Sequence, residues 1–326
     1  MVNEKNFKSQ DYRNLEISLA PMLEVTTANF RKFVRISSKH TLLFTEMIVS
    51  NTVINISTTK LLQRLGDIDD LTVVQIGGSD PTEISSAISI LKQHGCKHFN
   101  LNLGCPSSRV QKGCFGAVLM KDKELVTKIV NTVYSDHNIV LSLKIRVGVD
   151  DLDTYEFFSN FVKFLVQNSP VKKFYVHARK CWLGGLSPKQ NRNIPSLNYE
   201  YVYRIKQELL HIKFILNGGI KNLPYENMVD GIMIGREAIK NILVFKNIED
   251  IIYGNNNMNV YEIIKRYLET FDGGEKITFR MLSPLQNVLH GKNGSKMWKR
   301  FLNEAVHKDK MSIDEFIKEI ETTKIL

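Results

Sequence analysis

The stretch HFNLNLGCP at residues 98–106 reads as an apolar strand that ends in a polar Asn and a turn-forming Gly-Cys-Pro. The active site of a β/α barrel lies at the carboxyl ends of its strands, so Asn102 and Cys105 at such an end can face one bound substrate. A single cysteine is more often a small buried hydrophobic residue than a reactive group. The function of Cys105 therefore depends on what the other strand ends carry.

Short apolar or β-branched runs alternate with longer amphipathic segments over roughly the first 240 residues. Helix-like segments such as 81–94, 122–134 and 153–166 begin at an Asp or at Asp-Pro. Eight strands with helices between them favour a (β/α)8 TIM barrel over an open doubly wound sheet, which usually has fewer strands. The eight candidate strands are residues 17–22, 42–47, 72–77, 98–104, 140–147, 173–178, 213–219 and 231–235.

The alternation stops after about residue 240. Residues 254–259, GNNNMN, are typical of a polar linker. Helical apolar spacing follows in the segments 260–271, 276–290, 295–307 and 312–322. We therefore predict a catalytic barrel over residues 1–245 and a small helical domain over residues 255–326.

The composition predicts a soluble protein of a reducing compartment. Hydrophobic residues make up 43% of the chain and form no run that approaches a membrane span. The cysteines at positions 96, 105, 114 and 181 include no C-x-x-C pair, so we expect neither disulfides nor a metal site. The amino terminus resembles neither a secretory signal nor a transit peptide. We expect a cytoplasmic monomer, with an organelle as the alternative location in a eukaryotic host.

The chain carries 44 Lys and Arg against 34 Asp and Glu, a formal net charge of +10. Residues 172–192 hold six basic and no acidic residues, and residues 290–310 hold six basic and two acidic ones. The two segments also contain Trp182 and Trp298. Basic segments interleaved with aromatic residues suggest binding of a polyanion large enough to touch both. The alternative is an ordinary solvated surface.

Polar or charged side chains follow nearly all of the predicted strands. Any one of them can be structural, but strand ends that meet in a barrel form a site. These residues are Pro21-Met22-Leu23, Glu46, Gln75, Asn102 with Cys105, Lys144 with Arg146, His177 with Arg179, Asn217-Gly218-Gly219 and Gly235-Arg236.

The ends of the last two strands predict a phosphate site. Gly218, Gly219 and Gly235 let backbone N–H groups approach an anion, and Arg236 adds charged donors. Barrels usually hold a phosphate at this place. We therefore expect a phosphate-bearing cofactor in the mouth, with the charge of Lys144 against an electron-rich ring.

A series of motifs runs in fixed order from about residue 15 to about residue 305. Together these motifs resemble those of the tRNA-dihydrouridine synthases, most closely the bacterial A-type subfamily that acts on uridines 20 and 20a of the D-loop. The motifs are APML (20–23), TEM (45–47), QIGGSDP (75–81), NLNLGCP (100–106), RVQ (109–111), KIR (144–146), HARK (177–180), LSPK (186–189), NGG (217–219) and GR (235–236).

The resemblance implies an enzyme that binds FMN, takes electrons from NADPH and reduces the C5–C6 double bond of a uracil in tRNA. Cys105 matches the acid that protonates C5, and Asn102 matches a residue that contacts the base. The implied flavin contacts are Pro21, Met22, Leu23, Gln75, Lys144, His177, Asn217, Gly218, Gly219, Gly235 and Arg236. The target nucleotide must be flipped out of the tRNA, and the expected contacts to the rest of the tRNA are Arg179, Lys189, Arg192, Lys296 and Lys299.

Two regions of the chain depart from the family pattern. In the loop after the catalytic motif this chain has Cys114 where many members have Arg, which makes Cys114 a rival thiol, and Val118 where they have Cys. In the helical region Lys296 and Lys299 stand where the subfamily usually has two arginines around the Trp. Lysine keeps the charge but loses the bidentate phosphate geometry of arginine.

Three other classes of protein share parts of this pattern. A flavin dehydrogenase of a free dihydropyrimidine or dihydroorotate would share the barrel and the phosphate site but needs no basic segments. A lyase or isomerase that binds a sugar phosphate would explain the glycines but not the Asn102 and Cys105 arrangement. A non-catalytic RNA-binding barrel explains the fewest of these features.

Overall fold

The protein is described by a computed structural model that covers residues 12–223, 228–254, 258–307 and 311–323. Its strands form one parallel sheet in the order β1-β9-β8-β7-β6-β5-β4-β2, with β3 also paired to β4. Leu42 closes the sheet, because its N–H donates to Ile17 O and its carbonyl accepts from Leu19 N, both at 2.9 Å. The predicted TIM barrel is confirmed. The strands are β1 Glu16–Leu19, β2 Leu43–Phe44, β3 Ile48–Val49, β4 Thr72–Gly77, β5 His98–Asn102, β6 Ser142–Arg146, β7 Lys173–His177, β8 Lys213–Asn217 and β9 Gly231–Ile234.

Helices lie between the strands, and three begin close to where the sequence places them. The side chains of Asp80 and Asp122 cap two of these helices, as predicted, and Thr154 rather than Asp153 caps the third. The helices are α1 Ala28–Ser37, α2 Ser50–Asn55, α3 Thr58–Leu65, α4 Pro81–Gln93, α5 Ser108–Lys112, α6 Lys123–His137, α7 Tyr155–Asn168, α8 Glu200–Glu208, α9 Arg236–Lys240, α10 Val244–Tyr253, α11 Val260–Leu268, α12 Phe279–Leu282, α13 Ser295–His307 and α14 Ile313–Thr323. None of the helices in the described ranges is both long and apolar enough to cross a membrane.

The predicted strand 42–47 is shorter in the structure: of it only β2, Leu43–Phe44, forms, and β3, Ile48–Val49, begins just after it. Thr45 N still donates to Val73 O at 3.0 Å, but Gln75 N then donates to the Thr45 hydroxyl, at 3.1 Å, instead of to a backbone carbonyl. The side chain thus replaces one link of the backbone ladder, and the strand is interrupted there.

Alternate strand residues point into the barrel. Ala20, Phe44, Val73, Tyr175, Ile215 and Met233 form one buried cluster to which six strand segments contribute. Because side chains alternate along a strand, the residue two positions further on lies on the same inner side, closer to the carboxyl end. Those residues are Met22, Glu46, Gln75, His177, Asn217 and Gly235. The register of the sheet therefore brings the predicted strand-end residues to one mouth.

The C-terminal helices share a hydrophobic core with one side of the barrel. Phe33 of α1 packs edge-on against Tyr267 of α11, with ring centroids 5.4 Å apart. Asn29 Nδ2 donates to Arg280 O at 3.1 Å, and Asn287 Nδ2 donates to Ile239 O at 2.8 Å. Both contacts lie beside helices that begin at the barrel mouth, so the helical region borders the mouth. The division into two domains stays a prediction.

Two details of the predicted helical region are wrong. The segment 276–290 is not one helix, because Pro284 supplies no N–H, and a 3₁₀ turn at Ser283–Asn287 follows α12. Trp298 is fully buried and its Nε1 donates to Leu285 O at 2.8 Å, so it packs in the core and cannot stack on a nucleic acid. Residues 255–257 of the predicted linker lie outside the described residues, as do Lys308 and Lys310.

Candidate active site

Asn102 holds the loop that carries Cys105. Its Oδ1 accepts from the backbone N–H of Gly104 at 3.1 Å and of Cys105 at 3.0 Å, while its Nδ2 donates to Gln75 Oε1 at 2.8 Å. The amide oxygen is therefore used by the loop. The second N–H of the amide has no acceptor within the described part of the chain and is available to a ligand.

The two cysteines of this region differ in their surroundings. Cys105 is half-buried, its Sγ lies 3.6 Å from Ser107 Oγ, and its carbonyl accepts from Ala117 N at 2.9 Å. Gly116 has a φ of +72°, and a Cβ there would come within 2.6 Å of that carbonyl, so only glycine fits. Cys114 is exposed and has a positive φ of 55°. The structure thus gives Cys105 a fixed place at the mouth and leaves Cys114 at the surface.

Lys144 of β6 and Asn217 of β8 are in contact at the mouth, with β7 between their strands. Lys144 Nζ donates to Asn217 Oδ1 at 3.2 Å, and Asn217 Nδ2 donates to Met233 O at 2.7 Å. Burial, together with the charge of Arg146, lowers the pKa of Lys144 to about 7. The ammonium is thus a charge that an electron-rich or anionic ligand would stabilise.

The surroundings of His177 disfavour its charged form. Burial, together with the charges of Arg146 and Lys144, holds the pKa of its imidazole well below the usual range. Its Nδ1 is buried without a hydrogen-bond partner among the residues that the structure describes. A buried ring nitrogen without a partner carries a desolvation cost, which a bound ligand with a polar atom there would remove.

Three arginines converge at the ends of β7 and β9. Burial and the charge of Arg236 lower the pKa of both Arg179 and Arg192. Arg236 donates to the backbone carbonyl of Arg192 at 2.9 Å and to the side-chain oxygen of Asn193. Within the described ranges none of the three forms a salt bridge with a carboxylate, and Arg179 Nε is buried without a partner. Like charges held together in this way favour an anion between them.

Two glycines with positive φ lie beside these arginines. Gly218 and Gly219 have φ values of +116° and +73°, and a Cβ on Gly219 would lie 2.9 Å from Leu197 Cδ1. The Tyr199 hydroxyl donates to Gly218 O at 2.5 Å and fixes this turn. Only glycine suits both positions, as expected for a backbone that a phosphate approaches closely.

The end of β1 lies beside the end of β9 at the mouth. Pro21 and Met22 are half-buried, Leu23 is 60% exposed, and Glu24 N donates to Glu46 Oε1 at 2.5 Å. A Cβ on Gly235 would lie 3.7 Å from Met22 Sδ, so the ends of β1 and β9 are neighbours. The structure therefore brings all of the predicted cofactor residues to one mouth.

The sequence places Arg146 among the strand-end residues and Gln111 in a motif, but it indicates no role for either of them in holding the mouth loops together. Arg146 is buried, and its guanidinium donates to Gly104 O at 2.7 Å, Lys180 O at 3.1 Å and Asn191 O at 3.3 Å. Gln111 Nε2 donates to Pro106 O at 2.8 Å and to Leu183 O at 2.7 Å. Both side chains tie the Cys105 loop to the loop after β7. Their partners are backbone carbonyls of distant loops, which leave no sequence signal.

The basic segment 172–192 is not one surface. Lys173 binds Glu16 at 2.6 Å at the amino ends of the strands, opposite to Cys105. Lys180 is paired with Asp153 at 2.6 Å and lies over the Trp182 ring, 4.2 Å from its centroid. The exposed cations of this segment at the mouth are Lys189 and Arg192.

Lys296 and Lys299 are exposed on α13, whereas Arg300 on the same helix is paired with Glu304 at 2.6 Å. The two predicted RNA-binding segments thus present fewer free cations than their sequences indicate. A metal site has no basis in the described residues, since no group of three His, Cys, Asp or Glu side chains there is suitably placed.

Comparison with known proteins gives the family. The profile of the family described as Dihydrouridine synthase (Dus) matches residues 18–324. The chain belongs to the dihydrouridine synthase family. The resemblance deduced from the motifs is therefore confirmed, and with it the class of enzyme, an oxidoreductase that modifies tRNA.

Curated relatives cover nearly the whole chain. The tRNA-dihydrouridine(20/20a) synthase of Pasteurella multocida is 37% identical over 304 residues, which are 89% of this chain and 91% of that protein. The enzyme of the same name from Vibrio parahaemolyticus is 35% identical over 307 residues, 90% of this chain and 92% of that protein. Among solved structures, a 2-naphthoyl-CoA reductase complex matches 73% of this dihydrouridine synthase chain and 51% of its own, with a TM-score of 0.51 and 10% identity. That likeness concerns the fold alone.

Proposed function

We propose that this protein reduces the C5–C6 double bond of uridines 20 and 20a in tRNA, with bound FMN and with NADPH as the source of electrons. The observation that carries the proposal is the convergence on one barrel mouth of the Cys105 thiol and a cluster of unpaired arginines at a glycine turn. The names of the relatives, tRNA-dihydrouridine(20/20a) synthases, support the choice of uridines 20 and 20a as the targets.

The residues at the mouth fit a flavin with a phosphate. Gly218, Gly219 and Gly235 provide an open backbone, and Arg236 provides the charge for the phosphate. Lys144 and the unpartnered His177 Nδ1 lie deeper, where they would contact the ring. A reduced flavin held there by these residues would supply the hydride for C6 of the uracil.

Cys105 supplies the proton for C5. Hydride addition at C6 leaves negative charge on C5 and O4 of the ring, and a positioned acid must neutralise it. The Asn102 bond to Cys105 N keeps the thiol in place, and the free N–H of the Asn102 amide is a donor that suits a uracil carbonyl. Proton transfer leaves a thiolate, which takes a new proton from solvent.

The target uridine has to leave the base stack to reach a thiol at the barrel mouth. Lys189 and Arg192 flank the mouth on one side, and the helical region with Lys296 and Lys299 borders it on another. These exposed cations would hold the phosphates around the flipped nucleotide. Such a reaction takes place in the cytoplasm or in an organelle with its own tRNA, and we expect a monomer to perform it.

The proposal is tested with the purified protein and tRNA that lacks dihydrouridine. We expect an FMN absorption spectrum, NADPH-dependent bleaching of that spectrum, and dihydrouridine at positions 20 and 20a by primer extension. Free uracil and dihydroorotate serve as control substrates. A flavoprotein that turns over either free pyrimidine but leaves tRNA unchanged would contradict the proposal and favour a small-molecule dehydrogenase.

A further inference from the structure

A chain of hydrogen-bonded side chains crosses the barrel interior beneath Cys105. Asn102 Nδ2 donates to Gln75 Oε1 at 2.8 Å, Gln75 Nε2 donates to Asn100 Oδ1 at 2.8 Å, and Asn100 Nδ2 donates to Ser142 Oγ at 3.0 Å. The chain links the neighbouring strands β4, β5 and β6. We call these four residues the amide chain.

The direction of the amide chain is fixed at its upper end. Asn102 Oδ1 accepts two backbone N–H groups, which cannot act as acceptors, so Asn102 must present its Nδ2 to Gln75. The orientations of Gln75 and Asn100 follow in turn. The Ser142 hydroxyl ends the chain by donating to Phe99 O at 3.2 Å. No amide of the chain can rotate without breaking its neighbour's bond.

The three amides of the chain are buried, with 1% of Gln75, 0% of Asn100 and 8% of Asn102 exposed, and Ser142 is half-buried. Barrel interiors are more often filled with branched apolar side chains, and buried polar groups are costly unless all are satisfied. Each side-chain nitrogen and oxygen of the amide chain has at least one hydrogen-bond partner, and such a network rigidifies the elements it joins. At its upper end Asn102 accepts the N–H of Cys105, so three neighbouring strands support the position of that group.

We propose that Asn100 is a positioning residue for Cys105. Acting through Gln75 and Asn102, its amide keeps the backbone N–H of Cys105, and with it the thiol, at one place above the barrel interior. The inference rests on the proposed role of Cys105 as the acid. Asn100 is the register partner of Gln75, lies two residues before Asn102 on β5, and acts on the thiol only through these two side chains.

Asn100→Leu removes both links of Asn100 at nearly constant volume, and Asn100→Asp keeps an acceptor for Gln75 Nε2. In the holoenzyme we expect Asn100→Leu to retain flavin and to be reduced by NADPH at the wild-type rate. The kcat for tRNA should fall roughly tenfold to a hundredfold, since misplacement by about 1 Å costs that much, with KM for tRNA unchanged. Asn100→Asp should recover most of the lost kcat.

The position of the thiol is measured separately by alkylation with iodoacetamide, followed by peptide mass spectrometry. Cys114 is exposed and outside the amide chain, so it is an internal control in the same molecule. We expect the Cys105 rate in Asn100→Leu to change several-fold and the Cys114 rate to stay constant. This readout does not require turnover of tRNA. It therefore tests the positioning of the thiol independently of the proposed function. Absence of dihydrouridine formation by the wild-type protein would contradict the proposed function and not the positioning.

Ser142→Ala tests the other end of the amide chain should Asn100→Leu fold poorly. The matched control is Ser159→Ala, a buried serine of α7 whose hydroxyl donates only to a local carbonyl, Glu156 O at 3.2 Å. Ser142→Ala should shift Cys105 alkylation and kcat in the same direction as Asn100→Leu, and Ser159→Ala should shift neither. Wild-type Cys105 alkylation in both chain variants overturns the proposal. Equal losses of flavin and kcat in all variants, together with a changed Cys114 alkylation rate, also overturn the proposal, because that pattern indicates a general structural role.

Discussion

Lys144 Nζ lies 3.2 Å from Asn217 Oδ1, and this neutral amide is the side chain to which the buried ammonium donates. A lysine without a carboxylate partner in such a place destabilises the folded protein while it is charged, and the cost is relieved when it loses its proton.

The stability of the cofactor-free protein should therefore depend on pH through Lys144. Burial lowers its pKa to about 7 from 10.5, so the unfolded chain holds the extra proton between these values and stability rises with pH in that window. Relative to Lys144→Met, the wild type should gain up to about 1.4 kcal/mol per pH unit from pH 7 upward. Urea unfolding of both proteins from pH 6 to 9.5 measures this. A difference that does not vary with pH would refute it.

Cys105→Ala should retain FMN and its reduction by NADPH, while tRNA reduction falls by about two orders of magnitude or more, the usual contribution of a general acid. Cys114→Ala is the matched control and should keep wild-type turnover, because Cys114 is exposed at the surface. Single-turnover assays with prereduced enzyme separate the two steps. Loss of activity in Cys114→Ala with retention in Cys105→Ala would transfer the role of acid to Cys114.

Arg236→Ala should weaken flavin binding by roughly tenfold to a hundredfold, since a hydrogen bond to a charged group contributes about 1.5–3 kcal/mol. Lys240→Ala, exposed on the same helix α9 one turn further on, should bind flavin like the wild type. Fluorescence titration of the apoprotein with FMN gives both affinities. Equal affinities in the two variants would place the phosphate elsewhere.

Lys189→Glu and the double variant Lys296→Glu/Lys299→Glu should each weaken tRNA binding. The log–log dependence of affinity on salt should become shallower by about 0.7 to 0.9 for each lost phosphate contact. Lys213→Glu, exposed at the amino end of β8 away from the mouth, should leave the slope unchanged. Filter binding at several salt concentrations measures the slopes, and an unchanged slope removes that segment from the RNA-binding surface.

Glu249 of α10 should be important for stability but not for chemistry. Its carboxylate accepts from the Ser38 hydroxyl and from backbone N–H groups of residues 39, 40 and 41, and so holds the turn between α1 and β2. Glu249→Gln should lower the free energy of unfolding by about 2–3 kcal/mol, because the new amide turns donors toward donors. Exposed Glu269→Gln is the control. Reduced turnover per bound flavin in Glu249→Gln would contradict the prediction that Glu249 contributes to stability alone.

The barrel was predictable because most of its strands combine an apolar run with a polar end, as in His98–Asn102 and Lys213–Asn217. The site residues were predictable because parallel strands collect their carboxyl ends at one mouth. Strand 42–47 was only half correct, since Thr45 substitutes a hydroxyl for a backbone acceptor, a choice that the residue type does not dictate.

Other features depend on distant parts of the chain. Trp298 is an aromatic residue in a basic segment, yet it is buried against Leu285 because α13 turns that face to the core. Lys173 counts toward a basic segment but is paired with Glu16, which is remote in sequence. Local composition cannot distinguish such pairs from free cations.

Phe33 and Tyr267 belong to one continuous core, so α1 and the helices after the barrel should unfold as one cooperative unit. An engineer who wishes to exchange substrate preference between relatives by transplanting the C-terminal helices would have to move α1 with them. The crossover points of such a chimera lie on both sides of α1, and a graft made at the linker alone would leave two mismatched halves of a core.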